Sequence, residues 1–195
     1  MLILSYVILN LEGNAIFILH IDEEMQLRML SARDANALFS LTNASREYLQ
    51  KWLPWLDNIK SEEDTLEFIK STFYTYNNRQ AITAGIFLYE ELVGVISFQS
   101  LDFTHNIGTI GYWLGEKYQG RGVMTKAVEH LVTYGFENLQ LNRIEIRVAT
   151  RNESSIAIPK RLQFKNEGIL RQAERLHQRY VDHVMYSMLR EEWDK

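Results

Sequence analysis

Short apolar runs at Ile16–Ile21 and Gln26–Leu30 open the pattern and predict two strands. Ser31 or Asp34 stands next, as the cap of a helix. Further on, Ser61 with Asp64 three residues later forms a capping signature. Leu66, Phe68, Ile69, Phe73 and Tyr76 then recur at the spacing of a broad helical face that ends near Asn77. The texture changes after that. Ala81–Tyr89, Leu92–Ser100 and Ile107–Leu114 are dense in Ile, Val, Phe and Trp, with turn residues between them, which predicts three consecutive antiparallel strands. After Gly120-Arg121-Gly122, a helix running to about Leu139 places Ala127, Leu131 and Tyr134 on one face. Asn142–Thr150 reads as a strand, Glu153–Leu162 as a short helix, and Phe164–Ala173 and Tyr180–Leu189 as closing strands. The fold class is α+β, and no internal repeat is visible.

Composition narrows the function classes. At 195 residues, 46% of them hydrophobic and only two of them proline, the chain is long and apolar enough for one substantial core. One domain over residues 16–195 is expected. Met1–Leu9 is apolar but lacks the charged start and small-residue cleavage site of a signal peptide. The extension Met1–Ala15 fits an extra strand, a contact in a homo-oligomer, or a product of an early start codon. No later run reaches the length of a membrane span, and a cytoplasmic location is expected. The absence of cysteine removes disulfides, thiolate metal sites and an acyl-cysteine intermediate. A formal net charge of -4 argues against a nucleic-acid partner and mildly favours cationic acceptors. His20, His105, His130, His177 and His183 lack the spacing of metal ligands, so no metal is expected.

The strongest local signal is the strand Thr109–Leu114 followed by Gln119-Gly120-Arg121-Gly122-Val123-Met124-Thr125 at the opening of a helix. Glycines permit positive φ and close approach of a ligand, and the free N–H groups of a first helical turn favour an anion. The dipole alone contributes about 0.3–1 kcal/mol, so several N–H donors are needed to hold a pyrophosphate. Arg121 and Lys126 add positive charge. The same residues also fit a plain strand-to-helix turn. The third glycine and the later acidic residue of a dinucleotide fingerprint are missing, as is the Lys-Ser/Thr of a P-loop. A second signal follows, where the strand Ile144–Val148 ends in Arg151-Asn152-Glu153-Ser154-Ser155 and opens a short helix.

Together these motifs resemble the GNAT superfamily of N-acetyltransferases. Its motif of Gln or Arg, two residues, Gly, one residue, then Gly or Ala is met by Gln119, Gly122 and, loosely, Met124. Within it the chain is most similar to the Rim-type ribosomal-protein N-terminal (serine/alanine) acetyltransferases. That likeness rests on Trp52-Leu53-Pro54-Trp55, Gly111-Tyr112-Trp113-Leu114, Tyr118-Gln119-Gly120-Arg121-Gly122, Leu141-Asn142-Arg143-Ile144 and Asn152-Glu153-Ser154-Ser155. The resemblance implies a splayed mixed, mostly antiparallel sheet flanked by helices, and acetyl-CoA as cofactor. Its pantetheine arm would pair with the backbone of Tyr112, Trp113 and Leu114. The pyrophosphate would sit on Gln119, Gly120, Arg121, Gly122, Val123, Met124 and Thr125, with Asn152 and Ser155 as further cofactor contacts.

The resemblance also implies a general base, Glu174, and a donor to the leaving thiolate, Ser155. An exposed strand-end carboxylate and a serine bonding only to local backbone are the plainer readings of the same two residues. Many superfamily members carry a tyrosine four residues beyond the serine, where this chain has Pro159. That proline has no N–H to give the Ser155 carbonyl, which is then expected to stand free near the thioester or to be satisfied by water. Gln163 replaces the usual glycine before Phe164. Trp52 and Trp55 are candidate walls for the acceptor, or core residues. Asp57, Glu145, Glu174 and Asp182 are candidates for making its side negative, with His183 as an orienting or relaying group. Three functions stand at this point: transfer to a protein N-terminal amine, transfer to a small amine such as a polyamine, antibiotic or amino acid, and coenzyme A binding without catalysis.

Overall fold

The computed structural model describes residues 5–9 and 15–193, with side chains from Phe17 onward. In chain order its elements are β1 (Ser5–Leu9), β2 (Ala15–His20), β3 (Met25–Arg28), α1 (Ala35–Ala44), α2 (Arg46–Leu49) and α3 (Glu62–Asn77). There follow β4 (Ile82–Leu88), β5 (Glu91–Asp102), β6 (Ile107–Leu114), α4 (Val123–Glu137) and β7 (Arg143–Ala149). The chain ends in α5 (Glu153–Arg161), β8 (Lys165–Leu176), β9 (Arg179–Leu189) and α6 (Arg190–Trp193). The strands form one sheet in the order β1-β2-β3-β4-β5-β6-β7-β9-β8. Every neighbouring pair is antiparallel except β6 and β7, which the crossover helix α4 makes parallel. Of the extension read as an open question, Ser5–Leu9 is a strand on β2. Residues 1–4 and 10–14 lie outside the described residues.

Both predicted caps are in place. The Asp34 carboxylate accepts from the Ser31 backbone N–H at 2.7 Å and from its hydroxyl at 2.8 Å, and the Arg28 guanidinium grips both oxygens at 2.9 and 2.8 Å. Burial works against the Asp34 charge, but these partners outweigh it and hold the carboxyl below its usual value. Ser61 and Asp64 form a reciprocal capping box at the start of α3, with bonds of 3.3 and 3.0 Å. α1 and α3 pack on each other and on β5 and β4, whereas α4 and α5 pack together and on β6 and β7. Phe98, on β5, is fully buried. Its ring lies where a Cβ on Gly108 or Gly135 would come within 2.9 Å of it, so two glycines open the space that this ring fills.

An ion-pair network braces β7, β8 and β9. Arg143 bonds Glu145 at 2.8 Å and Glu167 at 2.9 and 2.5 Å, Arg147 bonds the other Glu145 oxygen at 2.9 Å, and Ser187 donates to Glu167 at 2.7 Å. The Arg143 bonds, then Ser187, pull the Glu167 carboxyl down to about 2 from an ordinary 4.5. A depressed carboxyl stabilises the fold fully above its unfolded value and loses that stabilisation as pH falls through its folded one. Melting temperature is therefore expected to drop on acidification from pH 4.5 towards 2. Arg143→Gln should cost about 1.5–3 kcal/mol at pH 7, typical of lost hydrogen bonds to charged groups, and flatten that acid-side decline. Thermal scans of both proteins from pH 2 to 7 check it.

Candidate active site

Strands β6 and β7 begin side by side and then part. Their register runs from Ile107↔Arg143 to Ile110↔Ile146 and stops, although β6 continues to Leu114 and β7 to Ala149. Against this free end of β6 lies a cavity of about 610 Å³, within the range of cofactor sites. Tyr112, Trp113 and Leu114 form one wall, the segment from Tyr118 to Lys126 another, and the start of α5 a third. Tyr48, Leu49, Trp52 and Leu53 close the remaining side.

The glycine loop has the geometry its sequence predicts. Gly120 and Gly122 stand at φ +72° and +77°, and a Cβ at either would touch nothing, so conformation rather than space demands glycine there. Gly122 is the N-cap of α4 and brings no side chain to the first turn, whose first main-chain bond back is Lys126 N–H to the Gly122 carbonyl at 3.1 Å. The N–H groups of Val123, Met124 and Thr125 precede that first bond and have no intrahelical partner, the arrangement that receives an anion. Arg121 makes no side-chain bond among the described residues. Lys126 pairs with Asp22, and Arg161 from α5 reaches Thr125 Oγ1 at 3.2 Å. Three cations thus stand around the loop, which suits the phosphates of coenzyme A.

The start of α5 separates two adjacent serines. Asn152 caps the helix: its Oδ1 accepts from Ser155 N–H at 3.2 Å and from the Ser154 hydroxyl at 3.0 Å. Ser154 also meets the Tyr48 hydroxyl at 3.3 Å. The Ser155 hydroxyl makes no hydrogen bond among the described residues, while its residue lines the cavity. The Ser155 carbonyl, expected to stand free or be left to water because of Pro159, instead accepts the Tyr112 hydroxyl at 2.9 Å. That correction follows from alternation along β6, which aims Tyr112 at α5 and Trp113 at the other face. Gln163, in place of glycine, takes φ +60° at the turn after α5.

On the other face the remaining candidates gather loosely. Trp113 meets Trp55, centroids 6.3 Å apart, and Trp55 is 40% exposed. Trp52, three residues earlier, lines the cofactor cavity instead. Glu174 accepts from His183 Nε2 at 3.0 Å, and the Gln172 N–H donates to Asp182 Oδ1 at 2.8 Å. The cause is a bulge: β8 loops out Arg171–Ala173 between the pairs Leu170↔His183 and Glu174↔Val181, with Gln172 at φ +51°. Asp182 pins that bulge through its Oδ1. Glu145, expected to face the acceptor, is instead 8% exposed and neutralised by its bonds to two arginines. His177, in the turn between β8 and β9, donates to the Gln50 carbonyl at 2.7 Å and stands 3.4 Å from Asp57, tying the hairpin to the tryptophan segment. Tyr48, Arg161 and His177 carry no motif and were not legible as site residues in the sequence.

Comparison with known proteins agrees with this geometry. Residues 24–165 match the family model of the acetyltransferase (GNAT) domain. A Bacillus subtilis (strain 168) protein, provisionally named ribosomal N-acetyltransferase YdaF, is 35% identical over 179 residues, 91% of this chain and 98% of that one. The structure of RimL, a ribosomal L7/L12 alpha-N-protein acetyltransferase in complex with coenzyme A, superposes with a TM-score of 0.85 at 29% identity, covering 88% of this chain and 97% of that one. The microcin C7 self-immunity acetyltransferase MccE, in complex with acetyl-CoA and AMP, gives 0.85 at 28% identity over 88% and 95%.

Proposed function

Because this chain belongs to the GNAT family of acetyltransferases, an acetyl-CoA-dependent N-acetyltransferase, we propose that its acceptor is the α-amine at a protein N-terminus, of the ribosomal-protein type. The observation that carries this reading is the likeness to an alpha-N-protein acetyltransferase, which covers 88% of this chain and 97% of that one. Physical chemistry favours it too. An α-amine has a pKa near 8 and lysine one near 10.4, so at pH 7 freeing the amine costs roughly 1.4 kcal/mol against roughly 4.6.

Acetyl-CoA supplies the activated acetyl group. Glu174, held at one oxygen by His183, takes the proton that the amine sheds as its bond to the acetyl carbon forms. Ser155, whose hydroxyl has no other partner among the described residues, gives a proton to the sulfur as the C–S bond breaks. The backbone of Tyr112–Leu114 receives the pantetheine arm, the Gln119–Thr125 loop the pyrophosphate, and Asn152 holds the helix that carries Ser155. Trp55 and Trp113 form a wall for the acceptor's first side chains.

A second reading, a small amine as acceptor, is favoured by the Trp55–Trp113 pair, whose Trp55 is 40% exposed and offers a face on which an amine bearing a flat aromatic group stacks. Mass spectrometry on a panel of N-terminal Ser and Ala peptides, lysine peptides, polyamines and amino acids tests both. Acetyl on peptide N-termini supports the proposal. Acetyl on lysine side chains alone, or on small amines alone, overturns it.

A further inference from the structure

Resting on the reading of Ser155 above, we propose that Tyr112 is a positioning residue for the proton donor: its phenol, reaching from β6 across to α5, holds the Ser155 carbonyl and thereby fixes where that serine presents its hydroxyl in the cavity. The need for such a group arises in the sequence. Pro159 lies inside α5 and has no N–H, so the main-chain bond that would tie the Ser155 carbonyl into the helix does not exist. The Tyr112 hydroxyl takes its place at 2.9 Å. Ser155 N–H is held by Asn152 at 3.2 Å, so both main-chain groups of the serine are fixed and its hydroxyl alone is left for the reaction.

The link is placed where the sheet gives none. The ladder between β6 and β7 ends at Ile110↔Ile146, and α5 follows directly on β7, so beyond that point the tyrosine joins the two walls of the cavity. Burial pushes the Tyr112 phenol well above its ordinary value, so it keeps its proton and stays a donor throughout the working range. The proton balance is simple. Nitrogen bonds to the acetyl carbon and gives its proton to Glu174, sulfur leaves with the C–S electron pair, and the Ser155 hydroxyl protonates it and is replenished from water.

The test is a double-mutant cycle on kcat with the melting temperature measured alongside. Tyr112→Phe is expected to lower kcat about tenfold with KM for acetyl-CoA within about twofold of wild type, the scale of one lost neutral hydrogen bond. In the Ser155→Ala background the same substitution should change kcat less than about twofold. Tyr112→Phe combined with Pro159→Ala supplies a main-chain N–H to the same carbonyl and should recover most of kcat; it also carries the test should Tyr112→Phe fold poorly. The proposal is overturned by losses that multiply with Ser155→Ala, by a change in KM alone, or by a folded Tyr112→Phe/Pro159→Ala protein whose kcat stays low. Wild-type turnover with kcat unmoved in Tyr112→Phe but lowered in Ser155→Ala overturns this proposal alone, whereas a folded Ser155→Ala protein with wild-type kcat overturns the reading on which it rests.

Discussion

Glu174→Gln is expected to lower kcat/KM for the amine by about 10²–10⁴-fold, the range that a positioned general base contributes. Affinity for acetyl-CoA should hardly change, because Glu174 lies on the β8–β9 hairpin and not among the residues lining the cofactor cavity. Stability should hold as well. Glutamine keeps an oxygen for the His183 N–H, and the bulge that aims residue 174 is pinned by Asp182 and Gln172, not by Glu174 itself. Steady-state kinetics with both substrates varied, beside a calorimetric titration with coenzyme A, separate these terms. A variant that loses cofactor binding and turnover together would show that Glu174 supports the fold of the site and is not its base.

The second large effect belongs to the core. Phe98→Ala should destabilise the protein by about 3–5 kcal/mol, a sizeable share of the roughly 5–15 kcal/mol that holds a domain together. The reason is that Gly108 and Gly135, whose backbones border the ring, carry no side chain to refill the cavity, which Leu141 and Ile144 stand close enough to enter only in part. In a chain of this size the melting temperature should fall by roughly 10 °C. Activity should suffer before unfolding does, since Gly135 is part of α4, the helix whose first turn is proposed to hold the pyrophosphate. Differential scanning calorimetry and coenzyme A binding at 25 °C report the two consequences. A fall of only a few degrees would mean that α4 and β6 close over the space.

Much of this architecture could be read from the chain because its strands are dense in branched and aromatic residues and its helices carry explicit caps. The strands predicted at Ile107–Leu114 and Tyr180–Leu189 match the structure within a residue. The predicted Phe164–Ala173 stops short of the observed end at Leu176, because the bulge at Arg171–Ala173 interrupts the alternation and hides the continuation. The extension at the amino terminus gave no way to choose between a strand and a contact, since an apolar run alone does not name its partner; Ser5–Leu9 pairs with β2.

The site was legible where chemistry is local and illegible where it is assembled. The glycine loop and the Asn152 cap carry their function in consecutive residues. Tyr112 as a partner of Ser155, Tyr48 of Ser154 and Arg161 of Thr125 are contacts between distant segments with no spacing rule. Glu145 is the instructive case. Read singly it was an acid for the acceptor's side, yet Arg143 and Arg147 stand two residues away on each side, and on a strand that spacing places all three on one face. Alternation would have predicted the neutralising pairs. Trp52 and Trp55 part for a similar reason: Pro54 opens a tight helical turn over Pro54–Asn58 that carries Trp55 away towards Trp113.

The measurement that bears most directly on the central claim is coenzyme A release with one peptide in two forms, both carrying an internal lysine, one with a free N-terminal serine and one with that amine blocked. Release that depends on the peptide, saturates with acetyl-CoA and disappears when the N-terminus is blocked is the predicted result. Equal release from the blocked peptide, or none from either while polyamines are acetylated, would contradict it.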